Sequence, residues 1–142
     1  MTFTLDTSTD LGKRAKHLLE TGYVAWLTTV DGDGRPFPSP VWFLYEDDGT
    51  VLIYSQPNKP KLRNIDSNAA VALNFDTEEN GDRVVIFEGA AVIDQSSKAV
   101  ADHHAYLAKY HDGILALGMT DESFSNDFSV AIRVVLQKLR GW

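Results

Sequence analysis

The sequence predicts a mainly β protein, an antiparallel β-barrel of six strands with flanking helices. Turns rich in glycine and aspartate separate short apolar runs, which favours consecutive hairpins. Long helices do not alternate with these runs, so a barrel is favoured over a doubly wound parallel sheet. The 142 residues are 44% hydrophobic and 23% charged, which indicates a single packed domain over residues 1–142.

A first helix is predicted over residues 8–21. Ser8 or Thr9 can cap its start, and Gly22 marks its end. Its apolar residues recur at helical spacing and predict one buried face. They are Leu11, Ala15, Leu18 and Leu19.

Three strands are predicted next, at residues 23–30, 35–45 and 50–55. Aspartates and glycines at 31–34 and 47–49 accept the backbone angles of the tight turns between them. The second strand has prolines at alternate positions, 36, 38 and 40. Because proline donates no hydrogen bond to a sheet, this strand is expected at an exposed edge.

A short helix is predicted over residues 58–67, followed by a strand at 69–75. Asn58 is a plausible cap for this helix, and Pro60 is tolerated in its first turn. An acidic loop at 76–82 leads out of the strand.

The fifth strand is predicted at 83–94, with a bulge or a close backbone approach at Gly89. A helical segment at about 96–127 follows, and a last strand is predicted at 129–137. Two glycines are expected to interrupt the helical segment, and the first of them to end its main helix. They are Gly113 and Gly118.

Composition limits the classes of function. The chain has no cysteine, which excludes disulfides and thiolate chemistry and suits a reducing cytoplasm. Residues 1–6 lack the features of a signal peptide, and no apolar run approaches the roughly 18 residues of a membrane span. The net charge of −7 disfavours nucleic-acid binding. We therefore expect a cytoplasmic protein in which any anionic ligand needs a local positive site.

Lys59, Lys61 and Arg63 place three of the 13 basic residues within five positions. They lie at the predicted start of a helix, where the macrodipole favours anions and disfavours cations. A phosphate bound among them, with helix amides as further donors, would explain this placement. The alternative is a solvated helix face whose lysines pair with Asp66 or Glu78. Charge alone leaves both interpretations open.

Other motifs give little support for catalysis or metal binding. His104 and His111 lie on one helical face near His103, but the i, i+4 pair of a helical zinc site is missing, so no metal is expected. The hydrolase elbow, the Rossmann fingerprint and the P-loop are all missing. Aromatic side chains offer stacking surfaces for a planar ring, although at strand positions they are more often core. They are Trp26, Trp42, Trp142, Phe43, Tyr45, Tyr54 and Phe75.

Five segments occur in an order that resembles a known superfamily. They are 23–30, 31–36, 39–43, 54–65 and 70–73, and Arg133 with the closing Arg140-Gly-Trp142 adds to the likeness. Together they resemble the pyridoxamine 5'-phosphate oxidase-like proteins, the FMN-binding split barrels. Within that superfamily the chain is similar to small enzymes that depend on the deazaflavin coenzyme F-420.

The resemblance implies a six-stranded antiparallel split β-barrel that forms a homodimer, with two cofactor sites at the dimer interface. Independently, the apolar runs 41–45 and 84–87 exceed what one small barrel covers, which also favours a dimer. In such proteins the turn and short helix after the third strand hold the cofactor phosphate, and the second strand lies beside the ring. The implied cofactor-binding residues are Pro40, Val41, Trp42, Ser55, Gln56, Lys59, Lys61 and Arg63.

The implied function is hydride transfer from reduced coenzyme F-420 to an unsaturated small molecule such as a quinone, an enone or a tetrapyrrole like biliverdin. The concentrated cations suit a phosphate with an acidic oligoglutamate tail, which favours the deazaflavin over FMN, the second choice. Arginines for a substrate phosphate are not found, so vitamin B6 phosphates are not the expected substrates. No catalytic acid or base is named. The alternatives are an FMN-dependent oxidoreductase and a non-catalytic carrier or sensor of a flavin, a deazaflavin or a haem-related ligand.

Overall fold

The computed structural model describes residues 3–142. Within that range no helix is both long and apolar enough to cross a membrane. A turn of 3-10 helix, Val100–Asp102, precedes the third α-helix. The elements are α1 (Asp10–Thr21), β1 (Ala25–Val30), β2 (Pro36–Val41), β3 (Leu44–Tyr45), β4 (Val51–Ser55), α2 (Pro60–Ser67), β5 (Ala70–Asn74), β6 (Val85–Ile93), α3 (His104–Ala116), α4 (Asp121–Asp127) and β7 (Val130–Gly141).

The strands form one antiparallel sheet in the order β2-β1-β5-β6-β7-β4-β3. β1 and β2 are the predicted hairpin, and β2 with its prolines lies at the predicted edge. The pairing of β6 with β7 shifts register between Glu88 and Gly89, which confirms the predicted bulge. A Cβ at Gly89 would overlap the carbonyl oxygen of Val135, so the close approach of the two backbones requires glycine.

The sheet curls so that its two edge strands follow one another in the chain. β2 ends at Val41 and β3 begins at Leu44, although they occupy opposite edges of the sheet. The single strand predicted over 35–45 is therefore two strands, and the sheet has seven strands rather than six. The cause is an exchange of partners: the chain leaves β1 at Val41 and pairs with β4 from Leu44. We call residues 42–43 the barrel seam.

Two apolar clusters stabilise the fold. The larger fills the barrel and includes Ala15 and Leu19 of α1. The second lies between the barrel wall and the helical segment, and it includes Leu52, Tyr54, Val100, Tyr106, Tyr110, Ile114, Phe124 and Ala131. All five residues of β4 are buried. Its first four side chains contribute alternately to the two clusters, which explains why residues 51–54 are continuously apolar.

The helices differ from the predictions at two points. Thr9 caps α1 as predicted, accepting a hydrogen bond from the Gly12 amide at 3.0 Å, whereas the N-cap of α2 is Lys59 rather than Asn58. Gly113 does not end a helix but lies inside α3, which continues to Ala116. Gly118, with φ of +77°, provides the break instead.

The apolar runs 41–45 and 84–87 are largely covered within the chain. Their buried residues are Val41, Phe43, Val84, Val85 and Phe87, and the other four are partly exposed. These runs therefore leave little apolar surface for a partner, and the dimer stays a prediction. Large apolar side chains are exposed elsewhere, at Tyr23, Val24, Trp26, Phe37, Val92, Leu115, Leu117, Val135 and Trp142.

Candidate ligand-binding site

A cavity of about 310 Å³ lies where the ends of β2 and β4, the start of α2 and the helices α3 and α4 meet. It is lined by Pro40, Val41, Trp42, Tyr54, Ser55, Gln56, Lys59, Lys61, Tyr106, Leu117, Phe124 and Phe128. Of the eight residues predicted to bind a cofactor, the fold brings seven to this cavity and leaves out Arg63. Several elements supply them, so the cavity exists only in the folded chain.

The end of β2 forms one wall of the cavity. Pro36, Pro38 and Pro40 pair with Val30, Thr28 and Trp26 of β1. Since proline has no N–H, the ladder to β1 must use the residues between the prolines. The proline carbonyls then point to the open edge of the sheet, which presents hydrogen-bond acceptors without N–H donors.

The end of β4 and the following turn form the opposite wall. Ser55 is buried, and its hydroxyl donates to the Gln56 carbonyl at 2.8 Å. Asn58 has φ of 64°, the left-handed conformation that asparagine tolerates, and this residue turns the chain into α2. The turn places Lys59 and Lys61 at the mouth of the cavity.

The two lysines give the cavity its charge. Lys61 is half-buried, and burial, followed by the nearby charge of Lys59, lowers its pKa. Across residues 3–142 neither lysine has a carboxylate within ion-pair distance, and Glu78 pairs with Arg83 at 3.6 Å instead. The pairings with Asp66 and Glu78 are therefore not formed, although Lys59 is exposed to solvent, and an anion would relieve the mutual repulsion of the two lysines.

Arg63 is exposed on α2 and does not line the cavity. Asn64 is the buried residue at this point, and its side-chain amide donates to the Thr29 hydroxyl at 3.0 Å. This bond fixes α2 against β1. The helix therefore turns Lys61 inward while Arg63, two residues further along, faces solvent.

The helical segment supplies an aromatic wall that the sequence analysis did not predict. Tyr106, Phe124 and Phe128 line the cavity, and the Phe124 and Phe128 rings stack with centroids 4.1 Å apart. Trp42 stacks on Tyr110 at 4.6 Å and on Phe124 at 5.6 Å. In the sequence, the i, i+4 spacing of Phe124 and Phe128 indicates that the two rings can contact each other on one helical face. It does not indicate which part of the protein that face would cover.

The lining contains few groups that could exchange protons. Burial raises the pKa of Tyr54 to about 12 and that of Tyr106 further, so both hydroxyls stay protonated at neutral pH. The Tyr54 hydroxyl donates to the Lys98 carbonyl at 2.6 Å. No histidine, carboxylate or cysteine is among the cavity-lining residues that the structure describes. The lining therefore offers cationic groups for an anion and aromatic surface for an apolar or planar group.

The histidines of the helical segment lie outside this cavity. His103 caps α3 through Nδ1 and approaches Glu46 at 3.3 Å, and His111 contacts Asp121 at 2.8 Å. They therefore do not converge on a common site.

Comparison with known proteins places this geometry in a family. The family model described as pyridoxamine 5'-phosphate oxidase matches residues 11–140, nearly the whole chain. No curated protein matches the chain at a significant level.

Solved structures share the fold at low sequence identity. A conserved hypothetical protein of Mycobacterium tuberculosis, Rv2991, has a TM-score of 0.72 and 18% identity, covering 100% of this chain and 89% of that one. An F-420 reductase has a TM-score of 0.64 and 22% identity, covering 88% and 94%. HutZ, the haem storage protein of Vibrio cholerae, has a TM-score of 0.63 and 19% identity, covering 94% and 95%.

Proposed function

Because the chain belongs to the pyridoxamine 5'-phosphate oxidase family, we propose that it is an oxidoreductase that binds the deazaflavin coenzyme F-420 in the cavity between β2, β4 and the helical segment. The observation that carries this proposal is the pair of lysines without carboxylate partners, Lys59 and Lys61, in the lining of a cavity that also contains several aromatic side chains. The proposed substrate is an unsaturated small molecule such as a quinone, an enone or a tetrapyrrole.

The residues present fit such a cofactor. Lys59 and Lys61 would hold the phosphate, and their position at the mouth leaves room for an acidic tail along the exposed side of α2, where Arg63 lies. The outward carbonyl of Pro40 would be available as a hydrogen-bond acceptor to the bound cofactor. Phe124 and Phe128 offer apolar surface to the ring system and would exclude water from it.

When bound, the deazaflavin would supply hydride transfer, the chemistry that the side chains themselves lack. The chain would bind and orient the cofactor and keep the reacting region dry. Since burial raises the pKa of Tyr54 and Tyr106, both stay protonated at neutral pH and are weak proton donors, so neither is a base or a strong acid. We therefore propose that any proton that the product needs comes from solvent.

Two alternatives remain on the same site. An FMN-dependent oxidoreductase needs the same phosphate clamp and the same ring surface. A non-catalytic carrier or sensor is favoured by the lack of acid–base residues in the described lining. Axial coordination of haem iron by this lining is disfavoured, because its described residues include no histidine, cysteine or methionine. Its two tyrosines, Tyr54 and Tyr106, are kept protonated by burial, which raises the pKa of both.

The proposal is tested by titrating the protein with FMN and with coenzyme F-420, followed by fluorescence. Replacing both Lys59→Ala and Lys61→Ala should weaken binding about 100-fold, roughly 3 kcal/mol, because two charge-assisted contacts are lost. The matched control is Lys13→Ala with Lys16→Ala, which removes the same charge from exposed positions of α1. The control should bind as the wild-type protein does.

Each outcome has a distinct meaning. Tight binding of neither cofactor would overturn the proposal, and an unchanged affinity in the Lys59/Lys61 variant would remove the phosphate assignment. Tighter binding of FMN than of F-420 would favour the flavin enzyme. Turnover of reduced F-420 with a panel of quinones, enones and biliverdin distinguishes an enzyme from a carrier, which would bind without turnover.

We also propose that the chain acts as a cytoplasmic homodimer. The exposed apolar side chains on the outer face of the sheet support a partner, since Trp26, Val92 and Val135 all point away from the barrel core. A second copy would cover this face.

A further inference from the structure

The barrel seam leaves backbone polar groups that no strand can satisfy. Between β2 and β3 the chain has left one edge of the sheet and has not yet paired with the other. Phe43 lies at this point and is fully buried. A buried peptide group without partners costs about as much as a lost hydrogen bond or more, so the fold has to supply partners from elsewhere.

Two side chains of α3 provide those partners. The Phe43 amide donates to the Tyr110 hydroxyl at 2.8 Å. The same hydroxyl is 2.7 Å from the Tyr23 carbonyl and 2.9 Å from the Phe43 carbonyl, so its single proton is directed at one of these two acceptors. Lys109 donates to the Phe43 carbonyl at 2.7 Å, and its ammonium group lies 3.8 Å from the centroid of the Phe43 ring.

These contacts tie the seam to the segment that leads into β1. Tyr23 lies just before β1, the neighbour of the edge strand β2, and Phe43 lies between the two edge strands β2 and β3. The Tyr110 ring, which has no exposed surface, also stacks on Trp42 with an angle of 5° between the ring planes. One side chain therefore fixes both the backbone of the seam and the indole beside it.

We propose that Tyr110, assisted by Lys109, is a positioning residue for the cofactor site. It does not line the cavity, but it sets the position of Trp42 and of the preceding β2 residues, which do. This inference rests on the proposed function, because the property that Tyr110 controls is the fit of the ring system to that wall. Without the hydroxyl, the Tyr110 ring could still pack, but its hydrogen bonds to the backbone of Phe43 and Tyr23 would be lost and the seam would become more mobile.

The test is the Tyr110→Phe variant with Tyr23→Phe as its matched control. Both changes remove one hydroxyl from the same aromatic cluster, in which the Tyr23 and Tyr110 rings are 4.9 Å apart. Only the Tyr110 hydroxyl bonds to the backbone of the seam. We expect Tyr110→Phe to weaken binding of FMN and F-420 at least tenfold, at a temperature where the variant is fully folded. Tyr23→Phe should bind as the wild-type protein does.

Two further readouts distinguish positioning from general stability. The visible circular dichroism of the bound cofactor should change in Tyr110→Phe, and the Phe43 amide should lose protection from hydrogen exchange. Should Tyr110→Phe fail to fold, Lys109→Met provides a second variant, expected to bind about threefold more weakly, with the affinity restored by Lys109→Arg.

The outcomes separate this inference from the proposed function. A wild-type protein that binds neither cofactor overturns both. A wild-type protein that binds, together with a Tyr110→Phe variant whose affinity and dichroism are unchanged, overturns the positioning role alone. Weakened binding and altered dichroism confined to the Tyr110 and Lys109 variants support it.

Discussion

Gly113 shows how a single missing side chain determines the packing of several others. The sequence analysis interpreted this glycine as a helix end, yet it lies within α3. A Cβ at Gly113 would overlap the Tyr23 hydroxyl and come within 3.1 Å of the Trp42 ring. The aromatic side chains beside the cavity, rather than the backbone of the helix, therefore occupy the space next to this glycine.

The Gly113→Ala variant tests this packing, because the sign of the change in the free energy of unfolding distinguishes free space from occupied space. In a helix with free space, this change should stabilise the protein by up to about 1 kcal/mol. With Tyr23 and Trp42 in the way, we expect a destabilisation of about 1–3 kcal/mol, measured by urea denaturation. Asp112→Ala, at the exposed preceding position, should stay within about 0.5 kcal/mol of the wild-type protein. A more stable Gly113→Ala variant would contradict the packing described here.

Arg133 connects elements that are distant in the sequence. Arg133 lies on β7, and its guanidinium donates four hydrogen bonds of 2.8 Å. Two of them go to Asp94 and Ser97, which follow β6. The other two go to Glu46 and Thr50 in the β3–β4 hairpin. The ion pairs with Asp94 and Glu46 are about four-fifths buried. Hydrogen bonds from Ser96, and then from Arg133, hold the pKa of Asp94 well below its ordinary value.

This network predicts a specific loss of stability in acid. Because the pKa of Asp94 is lower in the folded state than in the unfolded chain, its contribution is present above about pH 4 and is lost as the pH falls below that value. Asp94→Asn should therefore be destabilised at pH 7, and its difference from the wild-type protein should shrink towards pH 2.5. Urea denaturation at both pH values measures this difference.

The control for this prediction is Asp76→Asn, a change at an exposed carboxylate. It should alter the free energy of unfolding by less than about 0.5 kcal/mol at either pH. An Asp94→Asn difference that is constant with pH would show that the carboxylate's charge does not contribute to the network.

The outer face of the sheet determines how the whole molecule would associate. Along β7, Val134 and Leu136 are buried, whereas Val135 between them is 45% exposed. Val135 lies opposite Ala90 of β6, and Val92 of the same strand is 54% exposed. These side chains form an apolar patch on the side away from the barrel core, next to Arg133, which lies opposite Val92. This patch is the surface that we propose a second copy covers.

Val135→Lys should convert the proposed dimer into a monomer, because a charged side chain would have to be buried in the interface. Sedimentation velocity measures the change in mass, and the thermal unfolding curve shows whether the variant is folded. Leu115→Lys introduces the same charge at an exposed position of α3 and should leave the dimer intact. A wild-type protein that sediments as a monomer, or a Val135→Lys variant that remains a dimer, would overturn the proposed interface.

Much of the local structure follows from the sequence. Backbone conformation determines the turns at 31–34 and 47–49 and the bulge at Gly89. The missing proline N–H determines the place of β2 at the edge of the sheet. Both effects act over a few residues. The lysines at 59 and 61 were recognised for a similar reason, since their unusual placement at a helix start is visible in the sequence. These features need no knowledge of distant contacts.

Tertiary structure decided the remaining features, because each depends on groups brought together from far along the chain. The exchange of partners that divides β2 from β3, the burial of Phe43 and Phe87, and the place of Gly113 inside a helix all result from packing between distant elements. The aromatic wall of the cavity and the bonds of Tyr110 to the seam are of the same kind, since α3 and β3 are about 60 residues apart in the chain. The local pattern predicted where an anion would bind, and only the fold determined which surface would face it.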